Sequence, residues 1–379
     1  MSKILTIPVY ALLSTFILFS SCKNKEVQTD VTTIENSIQY ASGFALYKYD
    51  NYTKLVIKNP YPNAKKHFEY YLTKNAEKLK LPKDAKVITI PIKKIVVTST
   101  THIPMLDILN EVPSLVGFPN LKYISTPSAR VLIDAKKVQE LGNDMQINTE
   151  ILLSLNPNLV VGFSMQSANK MYATIEKSGI PVILNGDWLE EKPLGRAEWL
   201  KFFGALYDKS SLADSLFNTI ADDYNSAKQI ALKAKERPSI LSGTLFKGVW
   251  NLPAGDSFVA QFLEDANTNY YWKNTKGTGS LSLNFESVLD KAQNAEFWIA
   301  PGYSTSFKQL KNTYAHYSKF EAVKNKQVYT FALTKGATGG VIYYEEAPIK
   351  PHIVLKDIIK ITHPHLLPNY KPYFLKKLN

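Results

Sequence analysis

Residues 148–161 read Asn-Thr-Glu-Ile-Leu-Leu-Ser-Leu-Asn-Pro-Asn-Leu-Val-Val, and they indicate the class of fold more clearly than any other stretch. A helix is predicted to begin at Asn148-Thr149-Glu150 and to end before Pro157, since proline cannot continue a helix. Leu159-Val160-Val161 then has the apolar, β-branched character of a buried strand. A helix followed closely by such a strand is typical of α/β folds.

The same order of residues recurs in the second half of the chain. Asn284-Phe285-Glu286 begins a predicted helix, and Phe297-Trp298-Ile299 is a predicted strand. The strand begins nine residues after Glu150 and eleven after Glu286. Each glutamate has a local explanation, because a carboxylate in the first helical turn gains about 0.3–1 kcal/mol from the helix dipole. The repetition favours a shared role for the two.

Short apolar runs alternate with segments of helical periodicity over most of the chain, which predicts an α/β fold. The alternation stops between Arg196 and Lys235, where the pattern is almost wholly helical, with a break predicted at residues 208–210. We therefore predict two α/β lobes separated by a long helix. The predicted boundaries are 38–193 for the N-terminal lobe, which includes a β-hairpin at 38–57, then 194–236 for the connecting helix and 237–379 for the C-terminal lobe.

The first 22 residues predict an export signal. Lys3 supplies a positive charge, residues 4–19 are uncharged and mostly apolar, and Ser20-Ser21-Cys22 follows. Phe19-Ser20-Ser21-Cys22 resembles the bacterial lipobox, in which the cysteine is diacylated and becomes the new N-terminus. We predict a lipoprotein signal peptide at 1–21, lipidation of Cys22 and a flexible tether at 22–37. The alternative is a transmembrane signal anchor with an incidental cysteine.

The composition limits which sites and partners are possible in the part of the chain that follows the predicted signal peptide. Cys22 is the only cysteine, so the rest of the chain has no disulfide, no thiol nucleophile and no cysteine-based metal site. The net charge is +12, and it becomes +11 when residues 1–21 with Lys3 are removed. The lysines are spread along the chain without a dense basic block, which argues against a nucleic-acid partner. A basic surface suits anionic headgroups or an anionic ligand.

From Ile92 to the C-terminus the chain resembles the exported solute-binding proteins that serve ABC importers of ferric siderophores, haem and cobalamin. Residues 148–160 are similar to that family's N-x-E-x-I-x-x-L-x-P-D-L-V motif, with Asn158 in place of the usual Asp, and Asn284-Phe285-Glu286 occupies the matching place in the second lobe. Residues 188–206 and 350–364 also resemble the Bacteroidetes-type branch of the family.

The resemblance implies a fold of two lobes joined by one rigid helix, with the ligand in the cleft between them. It also implies that Glu150 and Glu286 project from the two lobe tips and dock to arginines of the permease. No catalytic residue and no cofactor are implied, and we expect a monomer that works with a permease and ATPase complex.

Loops at the carboxyl ends of parallel strands are predicted to line the cleft, because α/β sheets bind ligands there. The predicted ligand-binding residues are Thr101, His102, Trp188, Arg196, Lys247, Trp250, Tyr303, Tyr343 and Tyr344. For each aromatic residue, packing in the core is the alternative. For Arg196 and Lys247, which are suited to carboxylates or catecholates, the alternative is a solvated surface charge.

Three other functions were weighed. A receptor for a bare metal needs three or four ligands, and the six histidines form no evident cluster in the sequence, although His363-Pro364-His365 resembles a site on paper. An enzyme is disfavoured because the Gly-x-Ser-x-Gly, Gly-x-Gly-x-x-Gly and P-loop motifs are absent. A structural or adhesive lipoprotein would not need two matched lobes. We therefore predict a periplasmic, lipid-anchored receptor, with the inner membrane favoured, for an iron–siderophore complex, with cobalamin or haem as the alternative cargo.

Overall fold

The computed structural model describes residues 35–143, 146–165 and 170–379. The predicted signal peptide, Cys22 and most of the predicted tether lie outside these ranges. In the part of the chain that is described, no helix combines the length and the apolar character needed to cross a bilayer.

The first part of the described chain forms a mixed sheet of four strands, with both antiparallel and parallel pairs. Its strands, β1 (Phe44–Lys48), β2 (Thr53–Ile57), β3 (Phe68–Thr73) and β4 (Lys86–Thr89), lie in that order. The predicted hairpin is therefore present as β1 and β2, and it forms half of a larger sheet. One face of this sheet is apolar and packs into the main hydrophobic core of the protein.

The first lobe is built on a five-stranded parallel sheet. Its elements are β5 (Ile95–Val97), α1 (His102–Ile108), β6 (Leu115–Phe118), α2 (Pro127–Asp134), β7 (Gln139–Glu140), β8 (Gly142–Asn143), β9 (Gln146–Ile147), α3 (Thr149–Leu155), β10 (Leu159–Gly162), α4 (Lys170–Lys177) and β11 (Val182–Leu184). The sheet order is β11-β10-β5-β6-β7, and β8 pairs with β9. The central strands β5 and β10 are fully buried, as strands covered by helices on both faces must be.

Three successive helices carry the chain from the first lobe to the second. They are α5 (Pro193–Glu198), α6 (Leu200–Leu206) and α7 (Ser210–Ala231). The break predicted at residues 208–210 coincides with the gap between α6 and α7. Helix α7 has 22 residues, about 33 Å at 1.5 Å per residue. Phe217, Tyr224 and Ala231 lie on its buried face, and the Tyr224 hydroxyl donates to Asp265 of the second lobe at 2.7 Å.

The second lobe repeats the plan of the first. Its elements are β12 (Ser239–Ser242), β13 (Thr244–Phe246), β14 (Val249–Pro253), α8 (Phe258–Asp265), β15 (Asn269–Tyr270), β16 (Ser280–Leu283), α9 (Phe285–Ala292), β17 (Phe297–Ile299), α10 (Phe307–Thr313), α11 (Glu321–Lys324), β18 (Val328–Thr330), α12 (Ile342–Glu346), α13 (Pro351–Thr362) and β19 (Lys376–Lys377). The sheet order is β15-β12-β17-β18-β19, parallel except for β19, and β13-β14-β16 form a small antiparallel sheet. The α/β fold with two lobes is thus confirmed.

Lys247 and Trp250, which were predicted to line the cleft from a loop, lie instead in a β-hairpin. Strands β13 and β14 pair antiparallel, with Leu245 opposite Trp250. Lys247 and Gly248 form the turn, and both have positive φ angles. The hairpin is held in place because β14 also pairs with β16, about thirty residues later in the chain.

Two buried carboxylates fix the segment that leads into β1. Glu198 accepts hydrogen bonds from the backbone N–H groups of residues 39, 40 and 41, the shortest at 2.6 Å. Glu190 accepts from the N–H groups of Ser42 and Gly43 and from the indole of Trp199. A Cβ atom at Gly43 would lie 2.9 Å from both Glu190 and Trp199, so a larger residue would displace them.

Candidate functional site

A cavity of about 500 Å³ lies between the two lobes, at the carboxyl ends of the central strands. On the first-lobe side it is lined by residues 98–100 after β5, residues 118–120 at the end of β6, and Phe163 after β10. On the second-lobe side it is lined by Tyr303, Thr305, Lys335 and Tyr344 among others. This position is where parallel α/β sheets place ligands, because the connecting loops there are free to vary without disturbing the sheet.

Aromatic side chains form the second-lobe wall of the cavity. Tyr303 is 64% exposed and Tyr344 is 45% exposed, and their ring centres lie 6.0 Å apart. Tyr344 in turn meets the edge of Phe331 at 5.3 Å. Tyr123 of the first lobe also lines the cavity and is exposed. Exposed tyrosines supply apolar faces and hydroxyl groups to a bound molecule without a large loss of side-chain entropy.

A smaller, more enclosed cavity of about 220 Å³ lies beside the first and shares Tyr344 with it. Arg196 and Tyr343 line it together with Thr101 and Phe258. Tyr343 stacks on Phe331 with 4.5 Å between the ring centres. Burial raises the pKa of Tyr343 to about 12, while the nearby positive charge of Arg196 opposes the rise. The hydroxyl is therefore protonated at neutral pH and available as a donor.

Arg196 is held in a fixed orientation. Its Nη2 donates to the carbonyl of Trp188 at 2.6 Å, and its Nε donates to the carbonyl of Glu190 at 3.3 Å. The guanidinium lies 3.6 Å from the ring centre of Phe258, in cation–π geometry. Burial lowers the pKa of Arg196, and the neighbouring Asp187, Tyr343 and Glu190 oppose that shift. An arginine keeps its charge in spite of such a shift, so the cleft contains a positioned cation.

Thr101 lines the smaller cavity, whereas His102 lines neither of the two cavities. The Thr101 hydroxyl donates to the buried carboxylate of Asp187 at 2.8 Å. His102 is fully buried against Phe203, and neither ring nitrogen has a hydrogen-bond partner among the described residues. Burial lowers the pKa of His102, so the ring is neutral. In this conformation a ligand does not reach it.

The other three predicted ligand-binding residues lie in different surroundings. Trp188 is half-buried and lines a third cavity of about 320 Å³ next to Arg196. Trp250 is fully buried, stacks on Trp298 at 5.3 Å, and donates from its indole N–H to the carbonyl of Ser242. It belongs to the core of the second lobe and is therefore left out of the candidate binding site. Lys247 is exposed at the turn of the β13–β14 hairpin, outside the cavities described above.

Glu150 and Glu286 occupy equivalent positions in the two lobes. Each lies in the first turn of its helix, α3 or α9, and each is exposed. In both helices the preceding asparagine is the N-cap, and its side-chain oxygen accepts from the third helical N–H, at 3.0 Å for Asn148 and 2.7 Å for Asn284. Within the described ranges neither carboxylate has a hydrogen bond or ion pair of its own. Both are therefore available to a partner.

Several residues of the cleft could not be predicted from the sequence, and Glu345 is the most tightly held of them. It lies on α12 and is buried, and its carboxylate accepts from the N–H groups of Ser125 and Thr126 at 2.6 and 2.9 Å. Burial raises the pKa of Glu345, and the hydrogen bonds from Thr126 and Ser125 oppose that rise. Phe118 and Tyr123 were missed because the short strand β6 was not recognised, and with it the loop that follows.

No group of three or more His, Cys, Asp or Glu side chains is arranged to hold a metal ion in the ranges 35–143, 146–165 and 170–379. The ring centres of His363 and His365 are 6.5 Å apart, and the Nε2 atom of His363 lies 3.1 Å from the carbonyl oxygen of Ala266. The candidate sites are therefore the inter-lobe cleft, with its aromatic wall and Arg196, and the two exposed glutamates.

A family model described as periplasmic binding protein matches residues 95–332. An uncharacterised lipoprotein of Methanocaldococcus jannaschii is 24% identical over 100% of this chain and 97% of its own length. Among solved structures, a possible iron-binding periplasmic solute-binding protein of Staphylococcus epidermidis has a TM-score of 0.57 at 16% identity, covering 72% of this chain and all of that one. The periplasmic haem-binding protein of Vibrio cholerae has a TM-score of 0.54 at 15% identity, covering 69% of this chain and 99% of that one.

Proposed function

The chain belongs to the periplasmic binding protein family, and we propose that it captures an iron–siderophore complex and delivers it to the permease of an ABC importer at the inner membrane. It binds and releases its cargo without chemical change. In this proposal Cys22 carries the lipid anchor, the inter-lobe cleft holds the cargo, and Glu150 and Glu286 dock to the permease.

The paired glutamates carry the docking part of the proposal. Both project from the first turn of equivalent helices, with matching asparagine caps, and both are exposed without an internal partner in the described ranges. A single exposed glutamate at the start of a helix could be explained by a local role, such as an ion pair or a helix cap. Two in the same place on two lobes suit a partner that contacts both lobes at once, with a positive charge opposite each carboxylate.

The chemistry of the cleft supports a metal chelate as the cargo. Its wall of tyrosines offers flat faces to an aromatic or macrocyclic chelator, and Arg196 and Lys335 offer positive charge to an anionic one. The inter-lobe cavity of about 500 Å³ is of the size that proteins use for small organic ligands. Haem and cobalamin are the alternative cargoes in the same family, and they share the need for aromatic surface.

Fluorescence titration of the protein tests the cargo. Ferric catecholates, ferric hydroxamates, haemin and cobalamin are added in separate series, and tryptophan quenching is followed. Saturable, sub-micromolar binding of a ferric siderophore is the expected result. Binding of haemin or cobalamin alone would identify that molecule as the cargo in place of a siderophore. No binding in any series would contradict the proposal.

Charge reversal tests the docking. We expect Glu150→Lys together with Glu286→Lys to abolish uptake of the cargo in cells while leaving its affinity in the titration unchanged. Glu77→Lys with Glu236→Lys is the matched control, because these two exposed glutamates give the same change in net charge elsewhere. Normal uptake by the first pair, or equal loss in both pairs, would contradict the docking role.

A further inference from the structure

The four-stranded N-terminal sheet, β1 to β4, packs one face into the main core. Its outward face carries the buried Ala45 and Val56 and, around them, larger residues that are half-buried. Side chains alternate between the two faces of a strand. The inward set is buried in the core and comprises Phe44, Leu46, Leu55, Ile57, Leu72 and Ile88. The strand register places Tyr47 opposite Lys54, and Lys54 opposite Tyr71, on the outward face.

Four tyrosines surround one lysine on that side. Tyr49 and Tyr52, at the β1–β2 turn, stack with 4.5 Å between ring centres, and Tyr52 lies 5.6 Å from Tyr71. All four rings, including that of Tyr47, are half-buried. We call this surface, Tyr47, Tyr49, Tyr52 and Tyr71 with Lys54 among them, the tyrosine face. A tyrosine ring has an apolar body and a polar tip, which is the chemistry that favours the boundary between water and lipid.

Lys54 keeps its charge on this surface. Its Nζ lies 2.8 Å from the Glu69 carboxylate. That hydrogen bond raises the pKa of Lys54, while burial opposes the rise. The lysine and its partner therefore leave the tyrosine face polar at its centre and aromatic around it.

The N-terminal module is also strongly basic. Residues 35–94 contain 12 lysines and 5 acidic residues, a net charge of +7 (12 − 5), out of +12 for the whole chain. Exposed lysines border the sheet at both ends of its strands, and they include Lys48, Lys58, Lys65, Lys66 and Lys83. A field of this sign attracts anionic headgroups, and each lysine near a charged bilayer adds to the attraction.

The position of the module in the chain places it close to a membrane. Twelve residues, 23–34, separate the predicted acylated Cys22 from the first described residue. Even fully extended they span only about 40 Å, at 3.3–3.6 Å per residue. The N-terminal sheet is thus the first described element after the proposed anchor, and it stays within reach of the bilayer surface.

We propose that the tyrosine face lies against an anionic membrane surface and sets how the receptor is oriented on the membrane. That the sheet lies near the membrane rests on the proposed lipid anchor at Cys22. The affinity of the sheet for lipid does not depend on that anchor. The tyrosine rings enter the headgroup region, and the surrounding lysines contact anionic headgroups.

Vesicle sedimentation of residues 23–379, which lack the predicted signal peptide and the acylation site, tests the affinity directly. The vesicles are phosphatidylcholine with or without phosphatidylglycerol, at low and high salt. We expect binding to the anionic vesicles, about tenfold weaker in the variant Lys58→Gln, Lys65→Gln, Lys66→Gln. The matched control is Lys308→Gln, Lys311→Gln, Lys319→Gln, three exposed lysines of the second lobe, with unchanged binding expected.

A second variant, Tyr49→Ser with Tyr52→Ser, separates the rings from the charges. We expect this variant to bind the vesicles several-fold more weakly at both low and high salt. The loss caused by the lysine substitutions should instead disappear at high salt, because salt screens the charges. Absence of vesicle binding, equal loss in both lysine variants, or capture of an acidic polysaccharide or protein without vesicle binding would overturn the proposal. The siderophore titration on the same variants reports the proposed function separately, since the tyrosine face does not line the cleft.

Discussion

The carboxylate of Glu345 accepts a hydrogen bond from the backbone N–H of Thr126 at 2.9 Å and another from its hydroxyl at 2.5 Å, although the two residues lie 219 positions apart. Thr126 immediately precedes α2 of the first lobe, and Glu345 lies on α12 after the last parallel strand of the second. The carboxylate therefore fixes the two residues that lead into a helix of the other lobe. This contact joins the two walls of the cleft.

Removing the charge of Glu345 should loosen that junction. We expect Glu345→Gln to lower the free energy of unfolding by about 1–3 kcal/mol, because a buried, charge-assisted set of hydrogen bonds loses strength and one acceptor. Urea unfolding at pH 7 measures the change. Glu321→Gln, which removes a charge from an exposed ion pair with Lys324, is the control and should change stability by less than about 0.5 kcal/mol. Equal stability of the two variants would contradict the role of Glu345.

A glycine contact near the same junction controls how closely the lobes approach. A Cβ at Gly336 would lie 2.5 Å from the Cβ and Oγ atoms of Ser125. Gly336→Ala should therefore force the lobes apart at this edge, and we expect the dissociation rate of the cargo to rise several-fold. Stopped-flow fluorescence measures that rate.

Two further variants make the glycine test specific. Ser125→Gly in the Gly336→Ala background removes the atoms that clash, so it should restore slow dissociation. Gly279→Ala is the control, because nothing lies within 4 Å of a Cβ there. A dissociation rate for Gly336→Ala equal to that of the unmodified protein would show that the lobes accommodate the extra methyl group.

The exposed tyrosines of the cleft should contribute affinity rather than stability. We expect Tyr303→Ala to weaken cargo binding about tenfold, roughly 1.4 kcal/mol, through loss of a stacking surface. Phe246→Ala is a matched control, because Phe246 is 63% exposed, compared with 64% for Tyr303, and lies on the β13–β14 hairpin outside the cleft cavities. Binding and thermal unfolding of both variants are compared. Equal affinity of the two variants would place the cargo elsewhere.

His352 should make stability fall as the solution becomes acidic. Burial lowers the pKa of His352 to about 4 from its ordinary value of 6.5, with Asp223 opposing and Lys356 and Lys350 adding to the shift. Between pH 6.5 and 4 the unfolded chain binds a proton that the folded protein does not, so unfolding becomes more favourable as pH falls through this window.

We therefore expect His352→Gln to lose less stability than the unmodified protein between pH 7 and pH 4, measured by urea unfolding at each pH. His67→Gln is the control, because His67 is exposed, and its pH profile should follow that of the unmodified protein. Parallel profiles for all three proteins would show that His352 takes up its proton equally in the folded and unfolded states.

Strands and helices that have a clear apolar pattern along the sequence could be predicted from that pattern. The run Leu159–Val161 is apolar throughout, so it was recognised as a buried strand, and it lies in the interior of the first sheet. The run Leu115–Phe118 was missed because it is short, contains Gly117 and follows Pro113. Because this strand was not recognised, Tyr123 and the part of the first-lobe wall formed by residues 118–120 were not predicted.

Contacts between distant parts of the chain could not be predicted in this way. Trp250 lies among polar and turn-forming residues in the sequence, and it is buried only because β14 pairs with both β13 and β16. Glu345 stands next to Tyr344, which was predicted to line the cleft, and nothing near Glu345 in the sequence points to Thr126. In both cases the side chain is surrounded by segments that are distant in the sequence. A local periodic pattern does not reveal that such segments meet.

The attachment of the segment before β1 to Glu190 and Glu198 has a consequence for the order of events in biosynthesis. Residues 39–43 leave the ribosome about 150 positions ahead of the carboxylates that hold them. Until residue 198 has followed, five successive backbone N–H groups have no acceptor from the finished fold. The segment that leads into β1 therefore cannot take up its final contacts until about half of the chain has been made.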